Sequence, residues 1–488
     1  MKKDGMKIQI ALSLIIQMVN YIVPLLVAPY ISRKLLDVGI GDYSYAYSIT
    51  AYFTLIISFG FDGYGNKCIA NNRKDNSKIN EILWNIIIAK TFLFIISMVI
   101  YFIMIGNNIL TNGVNIFIYF ALILVFIGSL TDINFLFYAM ENVYPLSIAT
   151  LIVNVLYMVS IFTFIKSVED IILYTLLKSG IRVLINVILW GYAYKNYNIK
   201  FKNISIKIFN TLKLALPFFL PGLIAVFANM IDQTMLGNFA SNVEVGYYQQ
   251  AYKIISLALS MIGCLSPLIL AKVSYLKGIG NSQEVENKII KSFQLIMFIG
   301  MPAVIGLAVI SRYFVPLFYG EVFIPATNVI YFLLPTILLS PLASLWMNSF
   351  FYPNGRAGEA SFAMLIGNLI NVVLNIILIP KFQACGAAFA TAISNFIILL
   401  ICIILTRKEC NILTYVKLSL KIVISSIFMG IFILVFQIML GKYLSYFGIT
   451  IISILIGMLI YVVFCIIMKE SFMSYIIQTI KTKVLKKL

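Results

Sequence analysis

Long apolar runs follow one another along almost the whole chain. A helix needs about 20 mostly apolar residues to cross the hydrocarbon core of a bilayer. The sequence contains about fourteen windows of this kind. They lie near residues 8–31, 42–62, 82–105, 113–139, 143–165, 170–193, 211–236, 247–271, 292–310, 325–350, 359–379, 384–406, 422–440 and 444–468. The runs are continuous rather than alternating, which predicts membrane-spanning helices and not the strands of a β-barrel.

Composition separates this chain from soluble proteins. Hydrophobic residues make up 61% of the 488 residues and charged residues 11%, whereas soluble domains have about 45–50% apolar and about 25% charged residues. A soluble enzyme and a disordered chain are therefore excluded. The chain has no histidine, which removes imidazole bases and His-ligated metal sites. The six cysteines show no paired spacing, and we expect neither a metal nor a cofactor.

The basic residues are spread between the apolar windows. There are 36 Lys and Arg against 18 Asp and Glu, a net charge of +18, but they form no single patch, so we expect no nucleic-acid partner. With the N-terminus in the cytoplasm, 25 cations fall in inside segments and 6 in outside segments. Because cytoplasmic loops are rich in Lys and Arg, this bias predicts that both termini are cytoplasmic.

Two tyrosine-rich segments resemble each other. Segment 41–49 reads GDYSYAYSI and segment 246–254 reads GYYQQAYKI, so both match G-x-Y-x-x-A-Y-x-I at an offset of 205 residues. An offset of six spans preserves orientation and predicts two six-helix lobes related by an axis along the membrane normal. Chance similarity within an apolar chain is the alternative explanation.

The predicted fold is an all-α integral membrane protein with about fourteen transmembrane helices. Two six-helix lobes in a parallel pseudo-repeat surround a central cavity, an architecture typical of transporters. The predicted parts are an N-terminal lobe over 1–200, a C-terminal lobe over 201–410, two extra helices over 411–468, and a basic amphipathic cytoplasmic tail over 469–488.

Several ionisable side chains fall inside the predicted spans, where each must face protein or a wet cavity. Lys178 and Arg182 lie one helical turn apart in the sixth span, and no acid of that span is placed to neutralise them. A guanidinium beside an ammonium is a good receptor for a diphosphate, so we expect this pair to line a cavity for an anionic ligand. Lys90 and Asp132 lie at comparable depths in the third and fourth spans. Lys90 joins the candidate substrate-binding residues, but a structural ion pair between adjacent helices explains Lys90 and Asp132 equally well.

Uncharged polar residues extend this candidate site. Asn154 lies in the fifth span, and Asn368 and Asn371 belong to a polar stripe along the eleventh span. Such side chains suit sugar hydroxyls, but hydrogen bonding between helices explains them equally well. Asp132 and Asp232 are candidates for coupling to a proton or sodium gradient, which the sequence leaves open.

Short motifs in order along the chain resemble bacterial polysaccharide flippases, the Wzx-type branch of the multidrug/oligosaccharidyl-lipid/polysaccharide exporter superfamily. The resemblance extends from the first span to the twelfth. The motifs are PYISRKL at 29–35, GDYS at 41–44, FGF at 59–61 with GYG at 63–65, DINFLF at 132–137 with Glu141, and Pro380 with GAA at 386–388.

The resemblance implies a flippase for undecaprenyl-diphosphate-linked oligosaccharides, which passes repeat units of O antigen, lipopolysaccharide, capsule or exopolysaccharide to the outer leaflet. It implies the bacterial cytoplasmic membrane, membrane lipids as surroundings, and polysaccharide polymerase machinery as a further partner. Ser32-Arg33 matches a Ser-Arg pair of the related lipid II flippases, whose arginine is functionally important, so Arg33 joins the candidate substrate-binding residues. This sequence departs from the family pattern directly afterwards, because Leu36 stands where a glycine is usual.

Two other functions stay open. A multidrug exporter would share the fold, but it typically moves cations and would need carboxylates in its cavity, including one in the first span, which has no acid. A membrane glycan polymerase would be an enzyme and would usually carry acids or arginines on a long external loop. The flippase, a transporter and not an enzyme, explains the duplicated lobes and the buried cations together.

Overall fold

A computed structural model describes residues 3–107, 112–200, 207–263, 266–410, 412–441 and 443–474. The helices are α1 (Lys3–Ser58), α2 (Phe61–Asn71), α3 (Asn76–Gly106), α4 (Ile116–Leu130), α5 (Asn134–Ala139), α6 (Tyr144–Phe164), α7 (Ile171–Asn196), α8 (Ile208–Phe239), α9 (Asn242–Gly263), α10 (Ser266–Gly278), α11 (Ser282–Tyr319), α12 (Ala326–Leu333), α13 (Thr336–Trp346), α14 (Ala357–Leu405), α15 (Ile412–Leu440) and α16 (Tyr446–Ile467). A π-helix, Met347–Phe351, follows α13, and three short 3₁₀ helices lie in the connectors. These described ranges contain no β-strand.

Apolar helices of membrane-spanning length account for most of the chain. Eleven helical segments within the described residues are long and apolar enough to cross a membrane. Two helices are too long for one crossing, since α1 has 56 residues and α14 has 49, and 56 residues extend for about 84 Å. Each is broken at one non-helical residue. The eleven segments include α14 but not α1. The described helices confirm the predicted all-α fold, and the predicted count of about fourteen spans agrees roughly with them.

The two breaks have nearly the same backbone conformation. Leu36 has φ 56° and ψ −168°, and Gln383 has φ 52° and ψ −131°. Each is the second residue after a lysine, Lys34 or Lys381. A side chain in this region is strained, because only glycine adopts it readily. The structure therefore explains why a glycine is usual at position 36.

We expect Leu36→Gly to raise the free energy of unfolding by about 1 kcal/mol, because it removes side-chain strain at a positive φ. Leu36 is 37% exposed, so little packing is lost. Thermal unfolding of the purified protein in detergent measures the change. Leu26→Gly is the matched control, since Leu26 is also exposed but lies within regular helix and should lose about 1 kcal/mol. A loss of stability at both positions would contradict the strain argument.

The chain divides into two compact units, Met1–Gly246 and Tyr247–Leu488. In the first unit, α7 packs on α4 and α6, and α1 packs on α4, α6 and α8. The predicted N-terminal lobe ends at residue 200, whereas the first unit also includes α8, which packs against α1 and α3. The two six-helix lobes stay a prediction.

The second unit is built around α11, which packs on α13, α15 and α16. The last two helices also pack on each other, and Tyr461 of α16 donates a hydrogen bond to the Phe298 carbonyl of α11 at 2.9 Å. The described part of the predicted tail is 469–474, in which the Glu470 carboxylate accepts hydrogen bonds from the backbone N–H of Phe472 and Met473 at 3.0 and 2.7 Å. Residues 475–488, the rest of that predicted tail, lie outside the described residues.

The glycine that begins each copy of the repeated motif lets two backbone segments approach each other closely. A Cβ atom on Gly41 of α1 would overlap the carbonyl oxygen of Asn242, and a Cβ atom on Gly246 would lie 2.7 Å from the Asp37 oxygen. The Asn242 amide also donates to Asp42 at 2.9 Å. A side chain at either glycine would force the second half of α1 away from the start of α9.

Candidate functional site

The site forms where the fourth span is interrupted. Helix α4 ends at Leu130 and α5 begins at Asn134, and Asp132 lies between them. Its Oδ1 accepts a hydrogen bond from the Asn134 N–H at 2.8 Å. A carboxylate is favourable there because the first N–H groups of a helix have no partner within the helix. The side chain of Asp132 is only 2% exposed.

Helix α7 holds this interruption in place. Asn186 donates to the Gly128 carbonyl at 2.7 Å and to the Thr131 hydroxyl at 3.0 Å. The Trp190 indole donates to the Thr131 carbonyl at 2.8 Å. These bonds satisfy groups at the end of α4 that have no partner in their own helix. The α7 side chains therefore fix both the end of α4 and the position of Asp132.

Arg182 of α7 pairs with the buried carboxylate. Its Nε and Nη2 atoms lie 3.1 and 2.6 Å from Asp132 Oδ2. Gly128 makes room for the arginine, because a Cβ atom there would lie 3.1 Å from the Arg182 Cβ. The Arg182 side chain is nevertheless 40% exposed. The pair thus joins a sealed anion to a cation that a ligand can reach.

Lys90 of α3 also contacts Asp132, and it is buried, with 1% of its surface exposed. Its ammonium donates to the backbone carbonyl of Asp132 at 2.8 Å and lies 5.5 Å from the centre of the Phe135 ring. The structure thus brings Lys90 and Asp132 together, but the carboxylate of Asp132 binds Arg182. The acid that pairs with Arg182 comes from a different span.

Asp62 is a fourth charged member that the sequence analysis missed. It lies in the first turn of α2, is exposed, and interacts electrostatically with Lys90, Asp132 and Arg182. Its position as the last residue of the predicted second span, 42–62, was the available signal. We call Asp62, Lys90, Asp132 and Arg182 the charge cluster; it holds two charges of each sign.

Lys178 lies one turn before Arg182 on the same face of α7. Its ammonium is 3.1 Å from the Tyr174 hydroxyl and 4.5 Å from the centre of the Tyr43 ring. No ion pair of Lys178 occurs among the described residues. Aromatic rings thus contact the Lys178 ammonium, whereas the Asp132 carboxylate binds Arg182.

The remaining predicted residues lie elsewhere or bond locally. Asn154 is buried and donates back to the Thr150 carbonyl of its own helix at 2.8 Å. Arg33 is exposed at the end of the first half of α1, and Asp232 is buried in α8. In the second unit, Asn368 is half-buried on α14, and Asn371 donates to the Thr391 hydroxyl at 3.4 Å.

The second unit has a cavity of about 500 Å³ whose lining includes Lys277, Glu286, Glu409 and Tyr415. None of the predicted site residues lines it. Beside it, Arg356 binds Glu359 at 2.7 Å and also Glu409. These hydrogen bonds raise the pKa of the Arg356 guanidinium above its ordinary value, so it stays charged at any physiological pH. We assign this ion-pair network a role in joining α14 to the connector before α15.

We expect Asp132→Ala to lower the free energy of unfolding by about 2 kcal/mol, because Arg182 and the start of α5 lose a charged hydrogen-bond partner. Asp132→Asn should cost less, since an amide oxygen can still accept from the Asn134 N–H. Thermal unfolding in detergent provides the comparison. Glu169→Gln is the control: Glu169 is exposed and lies outside the charge cluster, so its change should be under about 0.5 kcal/mol. Equal effects of Asp132→Ala and Glu169→Gln would contradict the geometry described here.

Comparison with known structures shows which proteins share this fold. The lipid II flippase MurJ, in an inward closed conformation, superposes with a TM-score of 0.75 at 17% identity over 94% of this chain and 98% of that one. An inward-facing multidrug resistance MATE family transporter of the MOP superfamily has a TM-score of 0.60 at 15% identity, over 81% of this chain and 99% of that one. At such identities these likenesses show a shared fold.

Sequence comparison gives the family. The model of the family described as polysaccharide biosynthesis protein matches residues 8–267, more than half of the chain, and the chain belongs to that family. A Shigella dysenteriae protein that carries the name O-antigen transporter is 22% identical over 378 residues, 75% of this chain and 91% of that protein. An Escherichia coli K12 protein of the same name is 27% identical over 85 residues, 17% of this chain and 20% of that protein.

These findings confirm the resemblance to Wzx-type members of the exporter superfamily that the short motifs indicated. The protein is a multi-pass membrane transporter and not an enzyme. Lys90, Asp132, Lys178 and Arg182 therefore lie on segments that are long and apolar enough to cross a membrane, where charged groups are expensive and usually functional.

Proposed function

We propose that this protein is a flippase that moves undecaprenyl-diphosphate-linked oligosaccharides from the cytoplasmic to the outer leaflet of the bacterial cytoplasmic membrane. The product would supply surface polysaccharide synthesis, with O-antigen repeat units as one example. The observation that carries the proposal is the pair of accessible cations on one face of α7, Arg182 and Lys178, in a chain of the polysaccharide biosynthesis family.

The two cations suit a diphosphate. Arg182 uses Nε and Nη2 on Asp132, and among the described residues no hydrogen bond engages its Nη1, which can donate to a phosphate oxygen. Lys178 lies one turn away and has no ion pair within the same described ranges. A guanidinium and an ammonium together can bind the two phosphates of a diphosphate.

Transport follows from exposing this face to one leaflet and then to the other. The diphosphate and sugars would bind the protein while the polyprenyl chain stays among lipid tails. Cations near mid-bilayer offset the cost of moving an anionic head group through hydrocarbon. Both termini would lie in the cytoplasm, and gradient coupling would act through Asp132 or Asp232. Asp132 is the better candidate because its protonation would remove the partner of Arg182.

We expect Arg182→Gln and Lys178→Gln each to reduce surface glycan at least tenfold, because each removes one cation from the proposed diphosphate site. The test is complementation of a strain that lacks the gene, with protein level, surface glycan and the leaflet of the lipid-linked oligosaccharide measured together. Trapped units on the cytoplasmic leaflet at normal protein level support the flippase. Lys195→Gln is the matched control, because Lys195 is exposed on the last turn of the same helix.

Other outcomes separate the rival functions. Normal glycan in both variants would overturn the cation site. Lipid-linked units that reach the outer leaflet but stay unpolymerised would indicate a polymerase. A cation exporter would instead depend on Asp62, the exposed carboxylate of the cluster, so drug sensitivity in Asp62→Asn with unchanged glycan would favour that function.

A further inference from the structure

The repeated motif places a stacked pair of tyrosines in each unit. In the first unit, the rings of Tyr43 and Tyr47 lie 5.8 Å apart at an interplanar angle of 18°. In the second unit, Tyr248 and Tyr252 lie 6.1 Å apart at 8°. In both pairs the first ring is buried and the second is half-buried. The same four-residue spacing thus gives the same arrangement twice, with one ring supporting another that stays accessible.

The first pair adjoins the cations of α7. The Lys178 ammonium is 4.5 Å from the centre of the Tyr43 ring, and Tyr174 packs edge-on against that ring at 5.2 Å. Tyr47 stacks on that same Tyr43 ring at 5.8 Å. The accessible ring therefore lies next to the group that would hold the diphosphate, where the first sugar of a lipid-linked glycan would be.

The second pair adjoins the polar stripe of α14. The hydroxyl of Tyr248 shares a hydrogen bond with Thr391 at 3.3 Å, and Asn371 donates to the same threonine at 3.4 Å. Asn375 in turn donates to the Asn371 side-chain oxygen at 3.1 Å. This chain of hydrogen bonds fixes the supporting ring and places amide groups beside the stacked pair.

We propose that Tyr47 and Tyr252 are stacking surfaces for the sugar rings of the transported glycan, one in each unit. This inference rests on the proposed function and names the part of the substrate that the α7 cations leave unbound. The C–H groups on one side of a pyranose carry partial positive charge and pack on the negative face of an aromatic ring. The neighbouring amides and hydroxyls supply partners for sugar hydroxyls. Because stacking on an aromatic ring does not distinguish one arrangement of sugar hydroxyls from another, these surfaces would accept many hexopyranoses.

The test compares two lipids that differ only in sugar. Full-length protein in nanodiscs is titrated with the lipid-linked oligosaccharide extracted from a strain that lacks the gene, and with undecaprenyl diphosphate, which has no sugar. We expect Tyr47→Leu and Tyr252→Leu each to weaken binding of the glycosylated lipid about tenfold, as for loss of one stacking ring, and to leave binding of undecaprenyl diphosphate unchanged. Tyr47→Phe and Tyr252→Phe keep the ring and should bind both lipids like the wild type.

Tyr275→Leu is the matched control. Tyr275 is 61% exposed and has Lys272 at 5.3 Å from its ring, so it has a neighbouring cation but lies in neither repeat segment. An equal loss for both lipids in the Leu variants, or no loss for either, would overturn the sugar surfaces. A wild-type protein that binds undecaprenyl diphosphate as tightly as the glycosylated lipid would overturn them as well and leave the diphosphate site standing. A wild-type protein that binds neither lipid would overturn the proposed function itself.

Discussion

The burial of one carboxylate organises the first unit. Removing Asp132 from water costs several kcal/mol, which an ion pair offsets only when further hydrogen bonds satisfy the group. Here Arg182 supplies two bonds and the Asn134 N–H supplies another, while Lys90 binds the carbonyl of the same residue. Arg182 and Lys90 come from α7 and α3, two helices that are distant from Asp132 in sequence. The interaction therefore fixes the relative positions of α3, α7 and the α4–α5 junction, and with them the accessible cations.

The spans could be predicted because each must match the thickness of a bilayer, a constraint visible in local composition. The charge cluster could be predicted only in part. Depth along the span indicates that Lys90 and Asp132 lie at one level, but hydropathy does not show that the helix stops at Leu130 and frees a carbonyl for Lys90. The Asp132–Arg182 pair depends on how α4 and α7 pack, and Asp62, the last residue of its apolar window, lies on the separate helix α2.

Hydropathy also could not predict the backbone geometry at the helix breaks and at the close backbone contacts. The windows 8–31 and 42–62 leave a connector of ordinary length, yet the chain makes the turn within one residue, Leu36. The parallel with Gln383 could have been read from the sequence, since Lys34 and Gly39 have the same spacing as Lys381 and Gly386. Likewise, the repeat predicted two similar lobes, but not that Gly41 and Gly246 lie where two backbone segments approach closely.

The pairing of Arg182 with Asp132 has a consequence for transport under the proposed function. A fully unpaired arginine would hold a diphosphate too tightly for release, since charge-assisted bonds strengthen away from water. Arg182 already binds Asp132, so an incoming anion must compete with the Asp132 carboxylate for the guanidinium. Asp132 keeps its bonds to α5 while the arginine is shared, and it stays in place to take the guanidinium back. Competition between a fixed carboxylate and a mobile phosphate would therefore make binding reversible, which a carrier requires and a storage site does not.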